Sequence, residues 1–319
     1  MSDQHILVSG GAGFIGSHVC IRLVEAGHNV TAVDSMLTGR SANLSDIADN
    51  PRFTLRTADI SDPASIAELE HVTHILHLAN PASPKANTRW PLDTIRASSL
   101  GTLNVLDLAA RTGARAVCAS SSEIYGDPQV HPQDESYRGN CDPVGPFSAY
   151  TEGKRVLEAA AAAHRRQGTD VGIIRPFNIF GPNMWPEDGR VVSTFCAKVL
   201  RDETLEVAGG AQTRSFCYVD DFVDGLIKMM YSPSFGPINL GNPTTEITIA
   251  ELAELVCRTA GTGQVKMTPG RVGDTHRRQP NIALASEVLQ WTPSTSLETG
   301  IERTLEWMAD ILDSDEAQH

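Results

Sequence analysis

Tyr150 and Lys154 stand four residues apart in "SAYTEGKR", a spacing that can support proton transfer. The surrounding pattern predicts a helix from about Phe147 to Gln167, so both side chains project from one helix face. An ammonium group beside a phenol favours the phenolate and lowers its pKa from about 10. We therefore expect Tyr150 to act as an acid or base on a hydroxyl group. A lone YxxxK pair is common by chance, so this interpretation depends on the elements around it.

The stretch "ASSSEIYGDP" places Ser121, Ser122 and Glu123 just after the apolar run "ARAVC". The apolar run predicts a buried strand, and the Tyr150 helix is the next helix in the chain. Ligands of open α/β sheets bind beyond the carboxyl ends of the strands. We expect these hydroxyl groups and the single carboxylate to face the same site as Tyr150.

A glycine-rich turn in "HILVSGGAGFIGSHVCIRLVEAGHNVTAVD" has Gly10, Gly13 and Gly16 between a predicted strand and a predicted helix. Glycines here permit a tight turn and let a pyrophosphate approach the positive end of the helix. Asp34 ends the next strand, 18 residues after Gly16. A carboxylate at that position accepts ribose hydroxyls and repels a 2′-phosphate, which favours NAD over NADP. A glycine turn needed only for packing is the alternative.

Strands and helices alternate along the first half of the chain, which predicts an α/β fold: a Rossmann-type doubly wound parallel sheet with a smaller C-terminal substrate-binding lobe. Helices are expected in "DPASIAEL", from about Leu92 to Thr112, and in the later segments "VVSTFCAKVLRD", "IAELAELVCRTA" and "LETGIERTLEWMADIL". The segments "SFCYVDDFVDGLIKMM" and "PINLGN" are expected to return to the main sheet. We assign residues 1–176 plus about 215–242 to an NAD-binding domain, and about 177–214 and 243–319 to the lobe.

The composition excludes several classes of protein. The 319 residues carry a net charge of −13 with a pI near 5.2, which argues against a nucleic-acid-binding or anionic-membrane surface. No apolar run is long enough to span a membrane and the N-terminus lacks signal-peptide features, so we expect a cytoplasmic protein. The six cysteines form no CxxC pair, which predicts reduced thiols and neither a disulfide framework nor a zinc ribbon.

Three histidines, His71, His74 and His77, recur every third residue in "HVTHILH". Such spacing suggests a metal site at first sight. The segment reads as a strand, however, and a spacing of three places side chains on opposite faces of a strand. We therefore expect no metal site.

These motifs together resemble the extended short-chain dehydrogenase/reductase family over essentially the whole chain. Within it, the sequence looks most like the UDP-glucuronate decarboxylases that make UDP-xylose. The segments that carry the resemblance are "GGAGFIGSH", "VDSMLTGR", "HLANPASP", "ASSSEIYGDPQVHPQ", "YRGN", "EGKR", "FNIFGP", "DGRVVSTF", "QTRSFCYVDDFVDGL" and "NLGNP". The resemblance implies that Ser121, Tyr150 and Lys154 form the hydride-transfer triad, with Lys154 also holding the nicotinamide ribose.

Ser122 and Glu123, which follow the predicted strand "ARAVC", narrow the choice among the reactions of this family. Related 4,6-dehydratases carry Asp then Glu where this chain has Ser122 and Glu123, and typical 4-epimerases have a small or hydroxyl residue at the second position. The pair here resembles the decarboxylase pattern. The resemblance implies oxidation of sugar C4 by NAD, loss of CO₂ from the resulting β-keto acid, and return of hydride to C4. The alternatives are C4 epimerisation of the same substrate, a dehydration, or a catalytically silent NAD-sensing or scaffolding protein.

The resemblance implies further contacts. Arg214 in "QTRSF" is expected near the sugar carboxylate, the alternative being a structural ion pair with Asp220 or Asp221. Arg190 and Arg278 resemble family residues that contact the diphosphate or uridine. Asn178 resembles a family residue that binds phosphate. The remaining expected substrate contacts are Pro81, Ser83 and Ser122, and the remaining expected cofactor contacts are Phe14, Ile15, Gly39, Asp59, Ile60, Leu78 and Ala79.

Two departures from the family pattern lie near these motifs. Ser98 in "RASSLGT" stands where an active-site asparagine is expected, and Asn80 stands where decarboxylases usually have serine. The family also implies a homodimer through two helices rich in small apolar residues, about 100–112 and 153–167. The alternative is that their alanines merely cover the sheet.

Overall fold

The computed structural model describes residues 4–270 and 276–316. Its strands, in chain order, are β1 His5–Ser9, β2 Asn29–Asp34, β3 Phe53–Thr57, β4 His74–His77, β5 Arg115–Ala119, β6 Val171–Pro176, β7 Ile179–Phe180, β8 Leu205–Ala208, β9 Thr213–Ser215, β10 Cys217–Tyr218, β11 Ile238–Leu240, β12 Glu246–Thr248, β13 Val265–Thr268 and β14 Arg277–Arg278. Its α-helices are α1 Phe14–Glu25, α2 Pro84–Arg89, α3 Pro91–Arg96, α4 Thr102–Thr112, α5 Ser148–Arg166, α6 Val191–Leu200, α7 Val219–Tyr231, α8 Ile249–Ala260, α9 Ala283–Leu289 and α10 Leu297–Glu316.

Seven parallel strands form the main sheet in the order β11-β6-β5-β4-β1-β2-β3. The chain runs outward from β1 in both directions, so the order reverses between β1 and β4. Such a reversal opens a crevice at the carboxyl ends of the strands, where ligands bind. The predicted doubly wound Rossmann-type sheet is confirmed.

The sheet is buried on both faces because its strands are apolar throughout rather than alternating. Ile6 and Val8 of β1 join the core on one face, and Leu7 between them joins the core on the other. Helices α1 and α7 pack together on the first face, whereas α4 and α5 pack together on the second. The long predicted helices are present, which places the Tyr150 helix directly against β5 and β6.

Three local predictions need correction. The segment "DPASIAEL" forms only a 3₁₀ turn, Pro63–Ser65, in which Asp62 caps the turn and Pro63 begins it. The predicted helix from 92 to 112 is divided by a π-helical turn at Ala97–Gly101. Strand β11 in "PINLGN" joins the main sheet as expected. Strand β10 in "SFCYVDDF", however, pairs with β7 in a separate two-stranded sheet. Of that segment, only helix α7 packs on the main sheet.

The smaller lobe consists of α6, α8 and α10, which pack on one another, with short sheets formed by β8 and β13 and by β9, β12 and β14. The residue ranges assigned to the two domains remain predictions, and residues 271–275 and 317–319 of the expected lobe lie outside the described residues. In the described part of the chain, none of the helices is both long and apolar enough to cross a membrane.

Candidate active site

The glycine-rich turn leads from β1 into α1 at the point where the strand order reverses. Gly10 has a left-handed φ of +76°, which favours glycine. A side chain at Gly16 would place its Cβ 2.0 Å from the Gly10 carbonyl oxygen, so the turn and the helix pack too closely for any other residue. Gly13 is the N-cap of α1 and makes no side-chain capping bond to the first-turn amides. The positive end of α1 is therefore available to an anion.

Asp34 lies at the end of β2 beside this turn and is buried. Its Oδ2 accepts a hydrogen bond from the Ala12 amide at 3.0 Å, and its Oδ1 accepts one from the Met36 amide at 2.9 Å. Burial raises the pKa of the carboxyl, and the backbone donors partly offset that rise. Gly39 lies against the carboxylate, where a Cβ would come within 2.7 Å of Oδ1. The expected position of Gly39 beside the Asp34 site thus follows from close packing.

A cavity of about 810 Å³ extends from the glycine turn to Tyr150. It is lined by most of the residues predicted to bind the cofactor and by several predicted to bind the substrate: Gly10, Gly13, Phe14, Ile15, Gly16, Asp34, Asp59, Ile60, Leu78, Ala79, Pro81, Ser83, Tyr150, Lys154 and Arg190. The glycine cradle, the helix end and the acid at the end of β2 together fit a dinucleotide with free ribose hydroxyls.

Lys154 is buried at the floor of this cavity. Its Nζ donates a hydrogen bond to the carbonyl of Ala119, at the end of β5, at 2.8 Å. The ammonium lies 5.7 Å from the centre of the Tyr150 ring, as the helical spacing requires. Burial lowers the pKa of Lys154 to about 8. The lysine is therefore fixed at the strand end and can exchange a proton near neutral pH.

Tyr150 differs from expectation in its pKa. Burial raises the pKa of the phenol above its ordinary value of 10, and a hydrogen bond with Ser121 and the charge of Arg190 oppose that rise. In the protein without its cofactor, desolvation of the phenolate outweighs these stabilising contacts. The pKa of Tyr150 is therefore raised, and the expectation that Lys154 lowers it is wrong for the protein without cofactor. Tyr150 remains a proton donor until another positive charge enters the site.

Ser121 links Tyr150 to the strand-end turn. Its hydroxyl acts to lower the pKa of Tyr150, and its Oγ accepts a hydrogen bond from the Glu123 amide at 3.1 Å, capping a 3₁₀ turn at Ser122–Tyr125. Ser122 is buried within this turn. The serine cluster therefore does two things: it caps the turn that presents Glu123, and it directs one hydroxyl at the phenol.

Glu123 forms an ion pair with Arg278, whose Nη1 donates to Oε1. The Arg278 side chain is 3% exposed and that of Glu123 is 40% exposed, so the guanidinium lies beneath a carboxylate that still reaches solvent. Arg278 also donates to the Gly126 carbonyl at 3.3 Å. The guanidinium of Arg278 is held against Glu123, and its contact with a diphosphate or uridine remains a prediction.

Arg214, expected near the sugar carboxylate, lies on β9 directly beside Arg278 in the register of β14. Its Nη1 donates to the Thr213 carbonyl at 2.8 Å. The carboxylate of Asp221, one of the two alternative partners of Arg214, accepts hydrogen bonds from Ser294 and Thr295 instead. Arg214 and Arg278 thus lie side by side on neighbouring strands, and Arg278 binds Glu123.

Asn178 is placed away from the cavity. Its side-chain amide donates to the Ser215 carbonyl at 2.9 Å, and its backbone has a φ of +43°. This bond ties the end of β6 to β9, the strand that carries Arg214. The placement supports a structural role in connecting the sheet to the lobe and leaves phosphate binding a prediction.

A buried network supports the turn from below. Arg175 on β6 makes two hydrogen bonds to the Glu158 carboxylate on α5, at 2.8 and 2.7 Å, and one to the Tyr125 hydroxyl at 2.8 Å. Tyr125 in turn donates to Asn239 at 2.8 Å. Arg175 therefore joins the helix of Tyr150, through its bidentate pair with Glu158, to the turn of Glu123, through its bond to Tyr125. Sequence reasoning missed it, since its members come from four separate segments.

Cations also line the cavity where sequence analysis expected none. Lys85 and Arg89 follow "HLANPASP" on α2, and both face the same cavity as Arg190. The Lys85 stem packs against Gly189, and Arg190 is paired with Asp188 at 3.0 Å. The available signal was the pair of basic residues in "PKANTRW", one helical turn apart after the strand end.

His77, at the end of β4, is buried with both ring nitrogens hydrogen bonded: Nδ1 to Ser9 Oγ at 2.7 Å and Nε2 to Thr102 Oγ1 at 3.1 Å. Burial, together with the Lys154 charge, lowers the pKa of His77 to about 3. Thr102 donates to the Ser98 carbonyl, so the imidazole must supply the proton of the His77–Thr102 bond. Neutral His77 thus closes a polar chain behind the cavity. Among the described residues, no group of three or more histidine, cysteine or acidic side chains is arranged to hold a metal ion.

Comparison with known proteins agrees with this geometry. Residues 6–241 match the model of the NAD dependent epimerase/dehydratase family. UDP-glucuronic acid decarboxylase 3 of Arabidopsis thaliana is 47% identical over 303 residues, covering 94% of this chain and 87% of its own length. UDP-glucuronic acid decarboxylase 1 of Danio rerio is 44% identical over 309 residues, covering 96% of this chain and 73% of its own length.

A solved structure of UDP-glucose 4-epimerase from Thermotoga maritima, with UDP-glucose, has a TM-score of 0.89 to this chain at 29% identity, covering 97% of this chain and 100% of that one. The resemblance drawn from the motifs is confirmed. Because the family model spans most of the chain, and the glycine turn, the buried lysine and the tyrosine occupy one cavity, the chain belongs to the NAD-dependent epimerase/dehydratase family.

Proposed function

We propose that this protein catalyses the NAD-dependent decarboxylation of UDP-glucuronic acid to UDP-xylose through a C4-keto intermediate. The observation that carries the proposal is the position of Glu123: one carboxylate, bound to Arg278, on the turn that is capped by Ser121, whose hydroxyl acts to lower the pKa of Tyr150. The extent of the similarity to the Arabidopsis and zebrafish decarboxylases supports the same substrate.

Proton transfer at C4 falls to Tyr150. Bound NAD supplies a hydride acceptor and donor for the C4 carbon, and its positive nicotinamide favours the phenolate that burial disfavours. Tyr150 takes the C4 hydroxyl proton, and Ser121 can donate a hydrogen bond to the same oxygen. Lys154, fixed to the Ala119 carbonyl, places its charge beneath the phenol.

Loss of CO₂ needs little help once C4 is a ketone, because the carboxylate is then β to a carbonyl and the electrons flow into an enolate. What the site must provide is a group that returns a proton to C5. Glu123 is suited to relay this proton from a solvent water that its carboxylate orients, since the carboxylate reaches solvent while the Arg278 guanidinium holds it in one position. Positive charge from Arg278 and from neighbouring Arg214 also stabilises the developing enolate.

The diphosphate of the substrate needs local cations, because the chain as a whole carries a net charge of −13. Lys85, Arg89 and Arg190 line one wall of the cavity. We propose that these three side chains bind the nucleotide end of the substrate. Guanidinium groups bind phosphate oxygens through paired donors, which favours the two arginines for the closest contacts.

The reaction is tested by incubating the purified protein with UDP-glucuronate and NAD. Released CO₂ and a product lighter by that mass support decarboxylation, whereas an isobaric product indicates the alternative, C4 epimerisation, and loss of water indicates a dehydratase. Tyr150→Phe serves as the inactive control. Protein that binds NAD but forms no NADH with any nucleotide sugar would support a sensing or scaffolding role instead.

We also propose a homodimer formed through the helices α3 to α5. Support comes from large apolar side chains that are exposed on these helices: Leu92, Ile95, Leu103 and Val156, with exposed fractions of 62%, 42%, 42% and 46%. Light scattering after size exclusion tests this. Leu103→Glu with Val156→Glu should yield monomer, while Met267→Glu, an exposed apolar residue on β13, should leave the dimer intact.

We propose a reducing compartment, the cytoplasm, as the site of action. All six cysteines are free in the structure, and four of them are buried. Alkylation of protein that is denatured directly after isolation from cells tests this assignment: all six thiols are expected to react without prior reduction, and disulfides would contradict it.

A further inference from the structure

Asn80 lies just beyond the end of β4 and lines the cavity that Tyr150 and Lys154 also line. Its side-chain nitrogen donates to the Ser98 hydroxyl at 2.6 Å and to the Thr94 carbonyl at 3.2 Å. A carbonyl only accepts hydrogen bonds, so the contact with Thr94 places the amide nitrogen toward the helix. The strand end is thereby tied to the π-helical turn at Ala97–Gly101.

Ser98 is held from two further directions. Its carbonyl accepts a hydrogen bond from Thr102 Oγ1 at 2.7 Å, and Thr102 is bonded in turn to the buried His77. On the opposite side it packs against α5: a Cβ added to Gly153 would come 2.9 Å from the Ser98 hydroxyl. Gly153 immediately precedes Lys154. Any change in the volume of residue 98 therefore acts on the helix turn that carries the lysine.

The Asn80 carbonyl oxygen adds an independent observation. It is buried and has no hydrogen-bond partner within the described part of the chain. Buried polar atoms in native proteins are almost always paired, and an unpaired one calls for an explanation other than stability. An asparagine retained at this position despite an unpaired oxygen points to a role in the site.

Asn80 at the strand end and Ser98 on the π-helical turn are thus joined by a hydrogen bond directly beside Gly153, the residue that precedes Lys154. We propose that Asn80 and Ser98 act as one positioning pair, whose hydrogen bond holds the end of β4 at a fixed distance from the turn of α5 that carries Lys154. The pair is thus a single unit that must be changed together.

The test is a cycle of Asn80→Ser, Ser98→Asn and the double variant. Asn80→Ser is too short to reach the helix, and Ser98→Asn crowds Asn80, a conflict that the shorter serine at position 80 relieves in the double variant. Each single variant is expected to bind NAD about 10-fold more weakly, the effect of one lost hydrogen bond or a comparable displacement. The double variant is expected to return to within about 3-fold of the wild type.

NAD affinity is measured by calorimetry on protein shown by its melting curve to be folded, so that lower stability is not mistaken for weaker binding. Ser99→Asn is the matched control, because Ser99 lies on the same turn but bonds to the Ile95 carbonyl and not to Asn80. It should bind NAD like the wild type.

Single variants that bind NAD normally, or a double variant whose defect is the sum of the two single defects, would overturn the proposal. The inference rests on the NAD site of the proposed enzyme and not on the fate of the sugar. If UDP-glucuronate gives no CO₂, the proposed reaction fails while the NAD-affinity cycle still decides the role of the pair. With an active enzyme, kcat is expected to follow the same pattern of loss and rescue.

Discussion

Arg278 binds the carboxylate of Glu123 across 155 residues of sequence, from the last short strand of the lobe to the turn after β5. This ion pair connects the lobe to the catalytic edge of the main sheet. The guanidinium is almost wholly buried, whereas the carboxylate keeps a route to solvent and to Tyr150.

Replacing either member of this pair is expected to slow catalysis strongly. Glu123→Gln removes the proton carrier and Arg278→Met removes the group that positions it, so each should lower kcat by ~10²-fold or more. The double variant should be no worse than the poorer single variant, because the two residues act as a unit. Arg214→Met should lower kcat less than Arg278→Met does. Steady-state kinetics measure these kcat values. A lower kcat for Arg214→Met than for Arg278→Met would indicate that Arg214 contributes more to catalysis than Arg278.

Lys154→Met should abolish turnover yet stabilise the fold at pH 7. The pKa of Lys154 falls from 10.5 to about 8 on folding because its charge is buried. At pH 7 both states carry the charge, and only the folded state must desolvate it. At about 1.4 kcal/mol per pKa unit, the gain in free energy of unfolding is up to about 3 kcal/mol.

The direction in which the free energy of unfolding changes with pH tests whether the charge of Lys154 is buried on folding. Between pH 8 and 10.5 the unfolded chain holds a proton that the folded protein has lost, so wild-type stability rises through this range. Urea unfolding should show that rise in the wild type and a smaller rise in Lys154→Met. Equal slopes in the two proteins would contradict the burial argument.

Asp34→Asn should weaken discrimination between NAD and NADP. The carboxylate is placed to accept ribose hydroxyls and to repel a 2′-phosphate, and asparagine removes the repulsion. We expect the ratio of NAD to NADP affinity to fall by about 10-fold or more. Asp59→Asn is the control, because Asp59 lines the same cavity after β3 and should leave the ratio unchanged. Calorimetric titration with both coenzymes measures the ratio.

His77 should make the protein less stable in acid. Folding lowers its pKa from 6.5 to about 3, so below pH 6.5 the unfolded chain binds a proton that the folded protein excludes. Stability falls as pH decreases through this window, by about 1.4 kcal/mol per pH unit from this residue. The loss between pH 7 and pH 5 should be smaller by roughly 2 kcal/mol in His77→Asn than in the wild type. His71→Asn, an exposed neighbour, should behave like the wild type.

Residue types and spacings within short segments of the chain were sufficient to predict the fold class and the cofactor end of the site. The glycine turn, Asp34 at the end of β2 and the pair Tyr150 and Lys154 each lie within one strand-turn-helix segment, where spacing dictates geometry. Their meeting in one cavity follows from a general rule, since parallel strands all end at the same edge of the sheet. Hence the fold class and the cofactor end of the site were predictable from sequence alone.

Tertiary structure decided what depends on distant segments and on solvent exclusion. Arg278 reaches Glu123, and Asn80 reaches Ser98, only because the lobe and the π-helical turn bring them together, and no spacing rule encodes either distance. The pKa of Tyr150 is likewise set by burial, which a sequence pattern does not measure. The segment "DPASIAEL" forms a single 3₁₀ turn at Pro63–Ser65 and not the predicted helix, although Asp62 and Pro63 supply the start signals of a helix. Periodicity describes neighbours along the chain, whereas desolvation and long-range pairing arise only when the chain has folded.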